Sequence, residues 1–351
     1  MLLDLPEDLF QHIIQIIFDT HRASLCCLAR TCRALQVPVE RVLYHAISLS
    51  TPRIFVQRAR ALVQYDKGQY LWDLDISPLR IPPKHFDLLP RHFVPVTQTI
   101  LTAAVNIRHL TLRHRFAARD WPPLLHDGLP FRLHSLDTNA PFDAALTGFL
   151  SVQTELRSVT LTPSRSTAAP KLPLSALPEL RDISAPDFLV ALLCCARPVR
   201  TLCVQGRVYD GMLRSLALGA ALTREGVRGL EELDVEVVPS ARNIGVLATT
   251  LTNVVKLTIR IPSFETMEPL LDVEVGPALA AFSRLESFCV LPPPLTRVDA
   301  SSEECDEAVQ RWMQFSCTLK TVVLPGRSWG PGGSRTPSTG STFFSASVVG
   351  R

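Results

Sequence analysis

The chain has 351 residues, 46% of them hydrophobic and 20% charged, enough to bury a large core in one long domain or two to three smaller ones. No apolar run approaches the roughly 18 residues of a membrane span, and the acidic start (Asp4, Glu7, Asp8) lacks the basic region of a secretory signal. The net charge of +3 comes from three arginines in the last 25 residues, so residues 1–326 balance at zero, which argues against a nucleic-acid surface.

The first element is LPEDLFQHIIQIIF, residues 5–18. Pro6 suits the first helical position, where its missing N–H has no intrahelical partner anyway. Glu7 and Asp8 then meet the positive end of the helix dipole. On a helical wheel Ile16, Leu9, Ile13, Ile17, Phe10, Ile14 and Phe18 sweep roughly 200°, whereas covering one core needs about 100°. Either one large core wraps this helix or it touches two apolar bodies. Ser24 is placed to cap a second helix carrying Leu25 and Leu28. Cys32, Leu35, Val39, Val42 and Leu43 suggest a third, bent or restarted at Pro38. Ala46-Ile47-Ser48-Leu49 then alternates as a short strand. Three short helices make a core that is marginal alone, which favours the two-body reading.

Residues 4–48 resemble the F-box motif. The likeness rests on Leu5-Pro6, the apolar run through Leu9 and Ile13, the Leu25-x-x-Leu28 pair, Cys32-Arg33, Leu43-Tyr44 and Ile47-x-Leu49. Thr31 and Tyr44 depart from it, standing where the motif usually has an apolar residue and Trp.

The remainder repeats a template, apolar-x-x-apolar-x-apolar. Eight copies are complete: LWDLDI (71–76), IRHLTL (107–112), LRSVTL (156–161), VRTLCV (199–204), LEELDV (230–235), VVKLTI (254–259), LESFCV (285–290) and LKTVVL (319–324). LHSLDT (133–138) and LRDISA (180–185) are imperfect, ending in Thr138 and Ala185. Each reads as a strand whose later two apolar residues face inward. Helical stretches lie between copies, at 55–63, 143–150, 187–196, 211–223, 243–251, 276–282 and 303–313. Strand, turn and helix repeated in this way stack into a solenoid with a parallel sheet on one face. Residues 50–326 thus resemble leucine-rich repeats, without the usual Asn past the strand; Pro141, Pro262 and Pro293 stand near that point. The last 25 residues are rich in Gly, Ser, Thr and Pro and are expected to be disordered. Within them Arg335-Thr336-Pro337 has the form of a phosphorylation site.

The chemistry of catalysis is thinly represented. Asp73 and Asp75 point the same way, roughly 6.5 Å apart, which is more often a solvated face than a metal pair. His109 and His114 fall on opposite faces of a strand. HExxH, GxSxG and Walker sequences are absent. Cys26, Cys27 and Cys32 lie in the helical unit at spacing that favours packing over zinc, and the nine Cys are expected to be reduced, buried thiols in an intracellular protein. What remains is a surface made of the outward strand positions. Its candidate target-binding residues are Asp73, Asp75, His109, Arg113, Asp137, Glu232, Asp234, Lys256 and Arg260. The acidic strand 232–236 should lie beside the basic strand 256–260, and pairing across neighbouring strands is the plainer reading of those two rows.

The expectation is an α/β protein: an F-box at 1–48, an irregular leucine-rich-repeat-like solenoid at 49–326 with a parallel sheet on its concave face, and a tail at 327–351. The resemblances together imply a non-catalytic substrate receptor of an SCF-type cullin ubiquitin ligase. The F-box would dock on the Skp adaptor, and through it on cullin, by Leu5, Pro6, Leu9, Ile13, Leu25, Leu28 and Cys32. The repeats would hold a protein target of unknown identity. No cofactor, metal, nucleic acid or membrane is called for. The alternative is a repeat scaffold in which the N-terminal helices only cap the solenoid.

Overall fold

The computed structural model describes residues 6–49, 52–76, 90–113, 120–162, 171–221, 229–262, 268–292, 302–330 and 335–336. Its contacts divide the chain into two compact units, Met1–Leu180 and Arg181–Arg351. The division falls inside the run of repeats, and the small helical core stays in one unit with the first of them.

The first unit opens with helices α1 (Glu7–Thr31) and α2 (Arg33–His45). Non-helical torsions at His21 break α1 into two segments, so three helical segments are present as expected. The break lies three residues before Ser24, which therefore sits inside a helix and caps nothing. Pro6 is the residue before the helix rather than its first member, and its carbonyl accepts from the Phe10 N–H at 3.0 Å. Strand β1 (Ala46–Ser48), helix α3 (Pro52–Gln64), a one-turn helix Lys67–Tyr70, β2 (Asp73–Ile76), α4 (Pro90–Ala103), β3 (His109–Leu112), β4 (Ser135–Thr138), α5 (Ala144–Ser151) and β5 (Ser158–Leu161) follow. Strands β1 to β5 lie side by side in chain order, all parallel.

The second unit alternates β6 (Asp182–Pro186), α6 (Asp187–Cys194), β7 (Thr201–Arg207), α7 (Asp210–Ala220), β8 (Glu232–Glu236), α8 (Ala241–Thr250), β9 (Lys256–Arg260), α9 (Val275–Ala280), β10 (Ser287–Leu291), α10 (Ser302–Phe315) and β11 (Thr321–Leu324). Strands β6 to β11 are parallel. Helices α6 to α10 pack each on the next. Gly219 of α7 lets the backbone approach Ala191 of α6, since a Cβ there would come within 3.0–3.1 Å of Ala191 carbons.

Sequence periodicity dictates this packing. The apolar positions of all ten template copies are buried, including Thr138 and Ala185 at the imperfect ends. Thr138 is tolerated because its hydroxyl accepts from the Ala140 N–H at 3.1 Å. Successive copies are tied at the strand entry. At most strand entries the carbonyl before the strand accepts two N–H groups from the next copy, as in Arg108 and His109 to Trp72, and His134 and Ser135 to Arg108. The same fork recurs at Arg181, Arg200, Glu231, Val255 and Glu286. A backbone ladder thus does work the missing Asn residues would otherwise share. Pro262 is buried beside it, Pro141 is half-buried, and Pro293 lies outside the described residues.

Two further expectations change. Helix α4 was not expected. The tail, expected to be disordered from 327, instead begins with β12 (Arg327–Trp329), antiparallel to β11, and β13 (Arg335–Thr336), antiparallel to β12. Trp329 is buried and its indole N–H donates to Asp306 Oδ1 at 2.9 Å, an aromatic anchor that composition concealed. Of the Arg335-Thr336-Pro337 motif, Pro337 falls outside the described residues, as do His114 and residues 338–351.

Candidate functional site

The helical unit builds its own core from Phe10, Ile14, Leu25, Leu35 and Val39, with Ile17, Phe18, Leu28, Cys32, Val42 and Leu43 packed on it. This uses about half of the apolar arc of α1. The other half faces away: Leu9 is 54% and Ile16 50% exposed, with Ile13 half-buried between them. Of the seven expected adaptor contacts, Pro6 and Leu9 are exposed, Ile13, Leu28 and Cys32 are half-buried, and Leu5 lies outside the described residues. Leu25 is corrected: it is fully buried in the helical core and turns inward. Ile16 belongs with the exposed group, one helical repeat beyond Leu9, and Val37 of α2 is also exposed.

Helix α2, not α1, reaches the first repeat. Lys67 Nζ lies 2.6 Å from Glu40 Oε2, with both side chains largely buried. The Trp72 N–H donates to the His45 carbonyl at 3.0 Å, and the His45 and Trp72 rings stack 5.8 Å apart at 14°.

Most of the outward charges on the sheet pair with one another across neighbouring strands. In the second unit, register sets Glu232 beside Lys256 and Asp234 beside Thr258. Lys256 Nζ lies 3.2 Å from Glu232 Oε2, and Arg260 Nε 2.8 Å from Asp234 Oδ1. Arg260 also donates to the Val204 carbonyl at 2.8 Å. The pairing expected for these two rows is present. In the first unit Arg113 Nε holds Asp137 Oδ1 at 2.6 Å, although burial raises the Asp137 carboxyl above its ordinary value against the pull of Arg113. Six of the nine candidates therefore neutralise one another. The other three, Asp73, Asp75 and His109, cluster on β2 and β3. Burial raises the Asp73 carboxyl and lowers the His109 imidazole, each partly offset by the other across the strands. Asp75 accepts from Ser48 Oγ at 3.2 Å.

The cysteines are less buried than expected. All nine are free thiols, but only Cys194 and Cys305 are buried, and Cys26, Cys27 and Cys317 are exposed. Burial pushes the Cys194 thiol up to about 12, which keeps it protonated and inert. Among the described residues no three His, Cys, Asp or Glu side chains converge as a metal site, and no helix is long and apolar enough to cross a membrane. No protein-family model matches the chain, and no curated protein matches it.

Proposed function

We propose that the chain is the substrate-recognition subunit of an SCF-type cullin ubiquitin ligase, with α1 and α2 as an F-box on the Skp adaptor. On this reading the strand-and-helix repeats form a leucine-rich-repeat-like solenoid whose concave face holds a target protein. The chain performs no covalent chemistry itself. It raises the effective concentration of the target at the ubiquitin-loaded conjugating enzyme.

One observation carries the proposal: α1 satisfies its core with one face and leaves Leu9, Ile13 and Ile16 as an apolar stripe on another. Such anchors suit the desolvated centre of a protein interface. The scaffold reading asks only that the first repeat be capped, and α2 already does this through Glu40 and His45. An end cap gives no reason for the stripe on α1.

The test is co-expression with a Skp adaptor and size-exclusion chromatography of wild type, Leu5→Ala/Pro6→Ala and Leu9→Ser/Ile16→Ser. A one-to-one complex that both double variants lose is the expected result. A monomer that ignores the adaptor would leave the N-terminal helices as an end cap and return the function to the repeats alone.

A further inference from the structure

Five of the 36 Lys and Arg residues are Lys: Lys67, Lys84, Lys171, Lys256 and Lys320. The imbalance is chemical as well as compositional. A guanidinium keeps its proton at any working pH, whereas a lysine amine that sheds its proton is a nucleophile. The chain thus carries its positive charge almost wholly on groups that cannot accept an acyl group.

The described lysines differ in how free they are. Lys67 lies in the one-turn helix that packs on α2, is largely buried, and is held above the ordinary lysine range by its hydrogen bond to Glu40. Lys256 opens β9, with β8 and β10 paired on either side, and its amine lies 3.2 Å from Glu232 Oε2. Lys320 Nζ lies 2.9 Å from Glu286 Oε2, and its backbone N–H donates to the Glu286 carbonyl at 2.8 Å. Lys171 has none of these restraints. It is exposed, belongs to no helix or strand, and among the described residues makes no hydrogen bond or ion pair. Pro173, Leu174 and Ser175 next to it are exposed as well, while Leu172 and Ala176 are buried and tie the stretch to the first unit. An enzyme that modifies a side chain must also accommodate the chain around it. This stretch is open to that approach, as exposed loop tips are to proteases. Lys84 lies outside the described residues.

We propose that Lys171 is the acceptor of an acyl group delivered as a thioester. Its amine attacks the thioester carbonyl, an amide C–N bond forms, the C–S bond breaks, and the departing thiolate takes up the proton that the amine loses. The inference rests on the receptor reading only for its donor. In a ubiquitin ligase that donor is the ubiquitin-loaded conjugating enzyme, held close to the receptor as well as to the target.

Two arms separate the sources of the thioester. In the first, the full chain is incubated with acetyl-coenzyme A to less than one acetyl group per chain, and the occupancy of each lysine is read by peptide mass spectrometry. In the second, the chain assembled with a Skp adaptor and cullin receives ubiquitin from the loaded conjugating enzyme, and the same sites are read. Lys171 should carry the largest share in both. A screened surface pair withholds its amine about two- to fivefold, so Lys171 should exceed Lys256 and Lys320 by about that factor in the first arm. Lys171→Arg keeps the charge and should remove most of the product, whereas Lys320→Arg should not. A larger share on any other amine, Lys84 included, would overturn the inference in either arm. A chain that never binds the adaptor yet is acetylated first at Lys171 loses the receptor reading alone. One that binds the adaptor but takes ubiquitin elsewhere, or not at all, loses this inference alone.

Discussion

At His109 two opposing effects meet within one side chain. Burial lowers the imidazole below its ordinary value of 6.5, Asp73 pulls it back, and His134 and His45 lower it further. The folded chain therefore binds this proton less readily than the unfolded chain. Below the ordinary histidine range the unfolded state takes up the proton first, so stability falls as pH drops through about 6.5 toward the lowered value. Asp73 acts with the opposite sign at lower pH. Its raised carboxyl is protonated first in the folded state, which returns stability as pH falls from that raised value toward the ordinary 3.8. Thermal unfolding of His109→Gln should show a smaller fall in Tm across the upper window than wild type, with His134→Gln as the comparison. An equal fall in His109→Gln and wild type would remove His109 as its source. The strand parity that places His109 and Asp73 on one face was readable from alternation alone. Their degree of burial was not, because it depends on which residues the neighbouring strands and helices bring beside them.

At the scale of elements, the terminal hairpin and α4 show where pattern reading stops. Composition over the last 25 residues averages Gly, Ser and Pro and conceals the three-residue strand Arg327–Trp329. That strand needs only backbone pairing with β11 and one buried indole bonded to Asp306. Trp329→Ala should therefore cost about 3–5 kcal/mol, read from the urea midpoint of the full chain. A loss below about 1 kcal/mol, the scale of an ordinary surface substitution, would mean the hairpin contributes little. Helix α4 was hidden for a different reason. Pro95 and its β-branched neighbours Val94, Val96 and Thr97 oppose helix on local propensity. Tertiary burial overrides it through Phe93, stacked 4.1 Å from Phe55, and through Ile100 and Leu101. In α1 the apolar arc is wider than its one core uses, and the sequence did not show which residues that core takes. Leu25 turned inward because the break at His21 rotates the second helical segment onto α2.

Across the whole molecule, what the sequence made legible is the translational rule, and what it hid is the hydrogen bonding that enforces the rule. Ten template copies at uneven spacing announced parallel strands alternating with helices, because only the inward positions must stay apolar. The forked carbonyl that recurs at the strand entries is made by backbone, so no residue type marks it. It also explains how spacing from 19 to 36 residues is tolerated: the ladder fixes one point per copy and leaves the rest of each connection free to vary. If so, stability should depend on the N–H groups and little on the side chains at those points. Glu231 separates the two. Its N–H donates to the Arg200 carbonyl at 2.8 Å, whereas its carboxylate has only a half-exposed Arg200 contact at 4.0 Å. Glu231→Ala keeps the ladder and should cost under about 1 kcal/mol. Glu231→Pro removes the donor and should cost about 3 kcal/mol or more, with an added restraint on Leu230. Urea unfolding of the two variants beside wild type decides the matter. If Pro and Ala proved equally mild, the side-chain core alone would hold the copies in register, and the forked carbonyls would be a consequence of that register rather than its cause.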